Sequence, residues 1–287
     1  MKKVFSICQK VFSGIGVAAV ALLLINAVAA PTEVAVPTLS EDDPLMLAAS
    51  GERDTLPTYQ IKAWDLPKKM DFAGESVPLQ ISDVRERLDR ELLVNVYWQS
   101  NGLLLIKRAH KFFPIIEPIL AKYDVPNDFK YLALIESGLQ NVVSPSGAAG
   151  FWQFMKGTAK EYNLEMENTV DERYHLEKAT EAACLYLKKA KEEMGSWTLA
   201  AAAYNAGKSG IRTQLNKQQV NDYYDLHLNN ETSRYVFRIL ALKEIMKNPK
   251  KYGFIYKKSQ LYDLEPVQYV TVDSTITNLA NFAKLYK

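Results

Sequence analysis

From Ser82 onward, apolar residues recur at helical spacing. Val84, Leu88, Leu92 and Val96 follow an Asp83 and Glu86 pair that resembles a capping box, and Asn101-Gly102 is expected to end the run. A second helical stretch covers Leu103 to Tyr123, interrupted by Pro114. Pro126-Asn127-Asp128 then opens a third, and further helical runs read as Gly150 to Tyr162, Leu176 to Met194, Trp197 to Ala206 and Thr232 to Met246. Almost nothing between residues 82 and 250 alternates like a strand, so the fold class is mainly α, with one compact domain. Residues 255–273 differ. There Tyr256, Tyr262, Val267, Tyr269, Val270 and Val272 stand among polar residues, and one or two strands are expected before a short helical stretch from Leu279 to Leu285.

The first thirty residues have another character. Lys2, Lys3 and Lys10 precede an apolar run from Val11 to Ile25, which ends in the small residues Ala27-Val28-Ala29-Ala30. This is the pattern of a secretory signal cleaved after Ala29 or Ala30, with a retained membrane anchor as the alternative. Residues 31–60, with Pro31, Pro37, Pro44 and Pro57 among small and acidic residues, read as a disordered linker. Export would remove Cys8 and leave Cys184 as a lone, buried and unreactive thiol. The formal charge of +2 includes the three N-terminal lysines, so the exported chain is close to neutral. Such a balance gives no argument for nucleic acid and tolerates an anionic polymer.

The third helix carries the candidate chemistry. Phe129, Leu132, Ala133 and Glu136 occupy positions i, i+3, i+4 and i+7, so the carboxylate shares the apolar stripe and should face inward. A carboxylate in apolar surroundings resists ionisation, which suits a general acid near neutral pH. The bland alternative is a helix-end carboxylate in a salt bridge or half in solvent.

Beyond Glu136-Ser137-Gly138 come Ser144-Pro145-Ser146-Gly147-Ala148-Ala149-Gly150-Phe151-Trp152-Gln153-Phe154-Met155, then Ala202-Ala203-Tyr204-Asn205-Ala206-Gly207, then Glu231-Thr232-Ser233-Arg234-Tyr235-Val236. In this order and spacing the motifs resemble those of the lytic transglycosylases related to the soluble lytic enzyme and goose-type lysozyme, over roughly residues 110–254. Val170-Asp171-Glu172-Arg173 and Asn248-Pro249-Lys250-Lys251-Tyr252-Gly253-Phe254 are similar to stretches of the membrane-bound lytic murein transglycosylase D group.

The resemblance implies a lysozyme-like α domain at 110–254, an N-terminal helical extension at 61–109 and a C-terminal tail at 255–287. It makes Glu136 the acid and base, Ser137 its hydrogen-bonding neighbour, Gln153 and Met155 the lining of a sugar groove, and Tyr204, Asn205 and Tyr235 the walls of the cleavage point. Aromatic faces suit sugar rings, amides suit N-acetyl and hydroxyl groups, and the glycines at 147, 150 and 207 suit tight turns or close approach. Trp152 and Met155 could equally be core, and Gly207 an ordinary helix cap.

The implied reaction cuts peptidoglycan glycan strands in the cell envelope, in the periplasm, leaving 1,6-anhydromuramyl ends, with no cofactor or metal. Asp171 and Glu172 stay open as a second acid, although an Asp-Glu-Arg stretch before a helix more often caps and pairs. A lysozyme-type hydrolase is one rival. A non-enzymatic peptidoglycan-binding envelope protein is the other.

Overall fold

The computed structural model describes residues 61–267 and 270–286. The signal and linker expected over residues 1–60 lie outside these residues, as does Tyr269 of the expected strand segment. Residues 62–287 form one compact unit.

A two-residue hairpin pairs β1 (Asp71–Phe72) antiparallel with β2 (Glu75–Ser76). Helices follow: α1 (Ser82–Tyr97), α2 (Gln99–Lys122), α3 (Lys130–Ser137), α4 (Lys156–Glu161), α5 (Leu176–Met194), α6 (Trp197–Ala206), α7 (Lys208–Gln218), α8 (Asn230–Lys247) and α9 (Leu279–Lys284). The fold is mainly α, as the hydrophobic spacing predicts. α8 packs on α1, α6 and α3, while α5 packs on α6 and α2. Packed on α8 and α2, α3 buries Tyr131, Leu132, Ala133, Leu134, Ile135 and Ser137.

Several elements depart from the sequence expectation. The first break falls at Trp98, and α2 runs through Asn101-Gly102, Pro114 and Pro118. Gly102 sits under Phe254, whose ring would lie 2.6 Å from any added Cβ, so this glycine serves close packing and not termination. A proline inside a helix costs about 3 kcal/mol, and the packing of α2 on α3 and α5 offsets it. Nor does Asp83 form a capping box: it pairs with Arg87 one turn on, and Ile81 stands at the cap without a side-chain bond. Gly150 to Phe154 is not helical, and α4 begins only at Lys156. Positive φ at Gly150 (80°) and Gln153 (50°) breaks the helical path there. No strand forms among the described residues of 255–273; a turn of 3-10 helix at Lys258–Gln260 stands there instead. α7 was hidden in the sequence because Ile211 is its one buried residue.

Cys184 is fully buried and unpaired, and burial pushes its thiol up to about 12. Among the described residues no helix is long and apolar enough to cross a membrane.

Candidate active site

A 3-10 turn, Asn127–Phe129, leads directly into α3, which ends at Gly138 in the left-handed conformation (φ 62°). Glu136 stands in the last turn. Burial raises its carboxyl above the ordinary 4.5; a hydrogen bond from Tyr235 and the charge of Arg238 act in the opposite direction, and the charge of Glu231 adds to the rise. Desolvation is the largest of these effects, and it favours the protonated form.

Tyr235 reaches Glu136 from α8. Its hydroxyl donates to Glu136 Oε1, and burial together with the nearby carboxylate raises the phenol well above its ordinary range. The phenol is thus a fixed donor, not an acid that competes for the proton. Glu231 and Arg238 stand four residues before and three after Tyr235, spacings that place all three on one side of α8.

Tyr204, at the end of α6, lies against Tyr186 (centroids 5.1 Å) and Phe154 (5.9 Å), and its hydroxyl donates to the Trp152 carbonyl at 2.7 Å. Packed on one flank, it is still partly exposed, and the charge of Glu136 acts on it. The Asn205 amide is held at both ends. Nδ2 donates to Glu231 Oε1 at 3.0 Å, and Oδ1 accepts from Thr232 Oγ1 at 2.8 Å.

The loop from 144 to 155 forms the adjoining wall. Gln153 Nε2 donates to the carbonyls of Gly150 (2.8 Å) and Val142 (3.0 Å), so its amide nitrogen stitches the loop together. Met155 is 47% exposed, whereas Trp152 is completely buried with its indole N–H on Thr180 Oγ1 at 2.9 Å. Of that pair, Trp152 is core and Met155 is surface.

Gly150 is required here, because an added Cβ would sit 1.9 Å from the Arg173 carbonyl oxygen. Buried Arg173 donates to the carbonyls of Gly147 (2.8 Å) and Phe154 (2.9 Å) and pairs with Asp171. The Arg173 hydrogen bond lowers Asp171, and the Lys178 hydrogen bond lowers Glu172. The bland alternative for the Asp-Glu-Arg stretch is therefore the one the fold uses: Asp171 caps and pairs with Arg173, Arg173 ties down the 144–155 loop, and Glu172 pairs with Lys178.

Ser137 differs from what the resemblance implies. Its hydroxyl donates to the Phe151 carbonyl at 2.8 Å, which ties the end of α3 to the loop instead of binding Glu136. The residues that sequence reasoning missed are Glu231 and Arg238, the two charges that act on Glu136; their spacing from Tyr235 was the available signal.

Residues 113–226 match the family described as Transglycosylase SLT domain. The chain is 29% identical over 191 residues to the membrane-bound lytic murein transglycosylase D of Escherichia coli strain K12, and equally to that of strain O6:H1. That alignment covers 63% of this chain and 41% of the relative, so the chain spans about two fifths of the length of the curated relatives it matches. A solved structure, the 70 kDa soluble lytic transglycosylase of Escherichia coli, overlays with a TM-score of 0.41 at 21% identity, over 54% of this chain and 27% of that one.

Proposed function

We propose that this chain, whose residues 113–226 carry a transglycosylase SLT domain, is a lytic transglycosylase that acts on peptidoglycan in the cell envelope, with Glu136 as its acid and base. The observation that carries the reading is a carboxyl raised by burial, in the last turn of an apolar helix and held by the Tyr235 hydroxyl. The domain division fits this role, with 61–109 as a helical extension, 110–254 as the catalytic domain and 255–287 as a tail. The N-terminal segment directs the chain to the periplasm or keeps it at the membrane.

Glu136 protonates the oxygen that bridges N-acetylmuramic acid and N-acetylglucosamine, and the bond from that oxygen to the muramyl C1 breaks. The N-acetyl carbonyl of the substrate meets the charge developing at C1. Glu136, now a carboxylate, takes the proton of the C6 hydroxyl as its oxygen closes on C1. The product is a 1,6-anhydro ring, and Glu136 is protonated again. One carboxylate thus serves where most glycosidases use two. Tyr235 stabilises the ionised stage, while burial favours the protonated one. Tyr204 and Met155 provide faces for sugar rings, and Gln153, Asn205 and Ser137 keep the walls of the groove in place.

Replacing Glu136 with Gln keeps size and polarity but removes the exchangeable proton, so turnover of glycan strands should fall by at least about 100-fold. Mass spectrometry of wild-type digests should find anhydromuramyl ends, lighter by one water than reducing ends. Predominantly reducing ends would make the protein a lysozyme-type hydrolase. Unchanged activity in Glu136→Gln would remove Glu136 from the reaction and leave a binding protein as the better reading.

A further inference from the structure

Beside α3 a cleft of about 650 Å³ opens between the α1–α2 segment and α8, with Trp98, Arg108, Gly138, Glu231, Arg234 and Arg238 in its walls. Its three arginines are not equivalent. Arg234 is committed: Nε and Nη2 donate at 2.6 and 3.2 Å to Glu91, a carboxylate only 1% exposed. Arg108 and Arg238 make no ion pair among the described residues. Each donates to a carbonyl at the end of α3, Arg108 Nη1 to Gly138 at 3.2 Å and Arg238 Nη2 to Ile135 at 3.0 Å.

A guanidinium has five N–H donors in a rigid fork, so these bonds leave most of each fork available. The two anchoring carbonyls are three residues apart, about 4.5 Å of helical rise, which holds the two cations on one rigid element. At Gly138 an added Cβ would lie 3.3 Å from Arg108 Nη1, so the glycine leaves this contact uncrowded.

Arg108 forms no ion pair, and Arg238 acts on Glu136 only by its charge, without an ion-pair contact, so both half-buried guanidinium groups keep donors for a carboxylate, which they bind with charge-assisted bonds of fixed geometry. Trp98, 60% exposed at the edge of the same cleft, supplies a flat apolar wall. The cleft also adjoins the catalytic groove, because Glu231 lines it and accepts from Asn205 beside Tyr204. A ligand covalently attached to a glycan in the groove can therefore enter it.

We propose that this cleft is a subsite for a carboxylate on the peptide arm of the glycan strand, bound by Arg108 and Arg238 and walled by Trp98. The proposal rests on the lytic transglycosylase reading for its substrate, and its test separates the two.

The full chain is assayed on glycan strands that carry their peptide arms and on the same strands stripped of them. Wild type should prefer the peptide-bearing strands by about tenfold, through KM. In Arg108→Gln that preference should fall to about twofold or less with kcat on peptide-bearing strands retained, and Arg108→Lys should restore part of it. Trp98→Ala, at an exposed position, should lower the preference independently and carries the test if Arg108→Gln does not fold. A wild type without preference, or variants that keep it intact, would overturn the subsite. If wild type cuts neither preparation, the activity reading fails on its own. The subsite is then judged by calorimetric titration with the free peptide arm: binding about tenfold weaker in Arg108→Gln supports it, and equal or absent binding overturns it.

Discussion

The Tyr235 hydroxyl donates to Glu136 Oε1 across 99 residues of sequence, joining the end of α3 to α8. This bond stabilises the carboxylate against burial, which favours the acid. The site is therefore a balance of opposed effects on one group, with desolvation the largest.

That balance has a sign that pH profiles can read. Tyr235 and Arg238 both lower Glu136, so Tyr235→Phe and Arg238→Met should raise it further and move the alkaline limb of kcat/KM to higher pH. Glu231 raises it, so Glu231→Gln should move the limb to lower pH. Tyr235→Phe should also slow turnover by about tenfold, the size expected from one hydrogen bond to a charged group of about 1.5 kcal/mol. A limb that stays in place in all three variants would mean that another group sets it.

The same elevation bears on stability. A carboxyl whose folded value lies above its ordinary 4.5 contributes stability that is fully present below that pH and is lost as pH rises through the folded value. At about pH 7 wild type carries this cost, and Glu136→Gln does not. The variant should melt at a higher temperature than wild type near neutral pH, and the gap should close by about pH 4. Thermal melts at the two pH values decide it; a variant less stable at neutral pH would show that Glu136 is a structural ion and not a strained acid.

Glu91 links α1 to α8. It lies on α1, is almost fully buried, and accepts from Arg234 next to Tyr235 and from Arg90 at 2.8 Å. Breaking a buried pair costs about 3–5 kcal/mol, and because both arginines reach solvent the low end applies to Glu91→Ala. Denaturant midpoints should show a loss of about 3 kcal/mol, with a smaller loss in Glu91→Gln, which keeps a hydrogen-bonding carbonyl. A loss below about 1 kcal/mol would reduce the pair to a surface contact.

What the sequence determined by itself was what short-range physics controls. α5 and α6 begin and end where the pattern predicts, because apolar periodicity coincides with local caps: the His175 and Ser196 side chains at the starts, and Gly195 and Gly207 after the ends. The inward stripe ending at Glu136 was legible for the same reason, since i, i+3, i+4 and i+7 share a face wherever the helix lies. Gly102 and Pro114 were not legible, and Gly150 was legible as a glycine for a turn or close approach but not as the end of a helical path. Gly102 is explained by Phe254 and Gly150 by the Arg173 carbonyl, partners far away in the chain, and packing by α3 and α5 overrides Pro114. The apolar residues near 270 alternate well enough for a strand, yet a strand also needs a neighbour for its N–H and C=O groups, and none is present among the described residues. Likewise, the sequence could nominate an acid but not its environment. Burial, the donor from Tyr235, the opposed charges of Arg238 and Glu231, and the open guanidinium donors beside α3 arise only when helices distant in sequence pack together, because desolvation and Coulomb forces depend on distance in space.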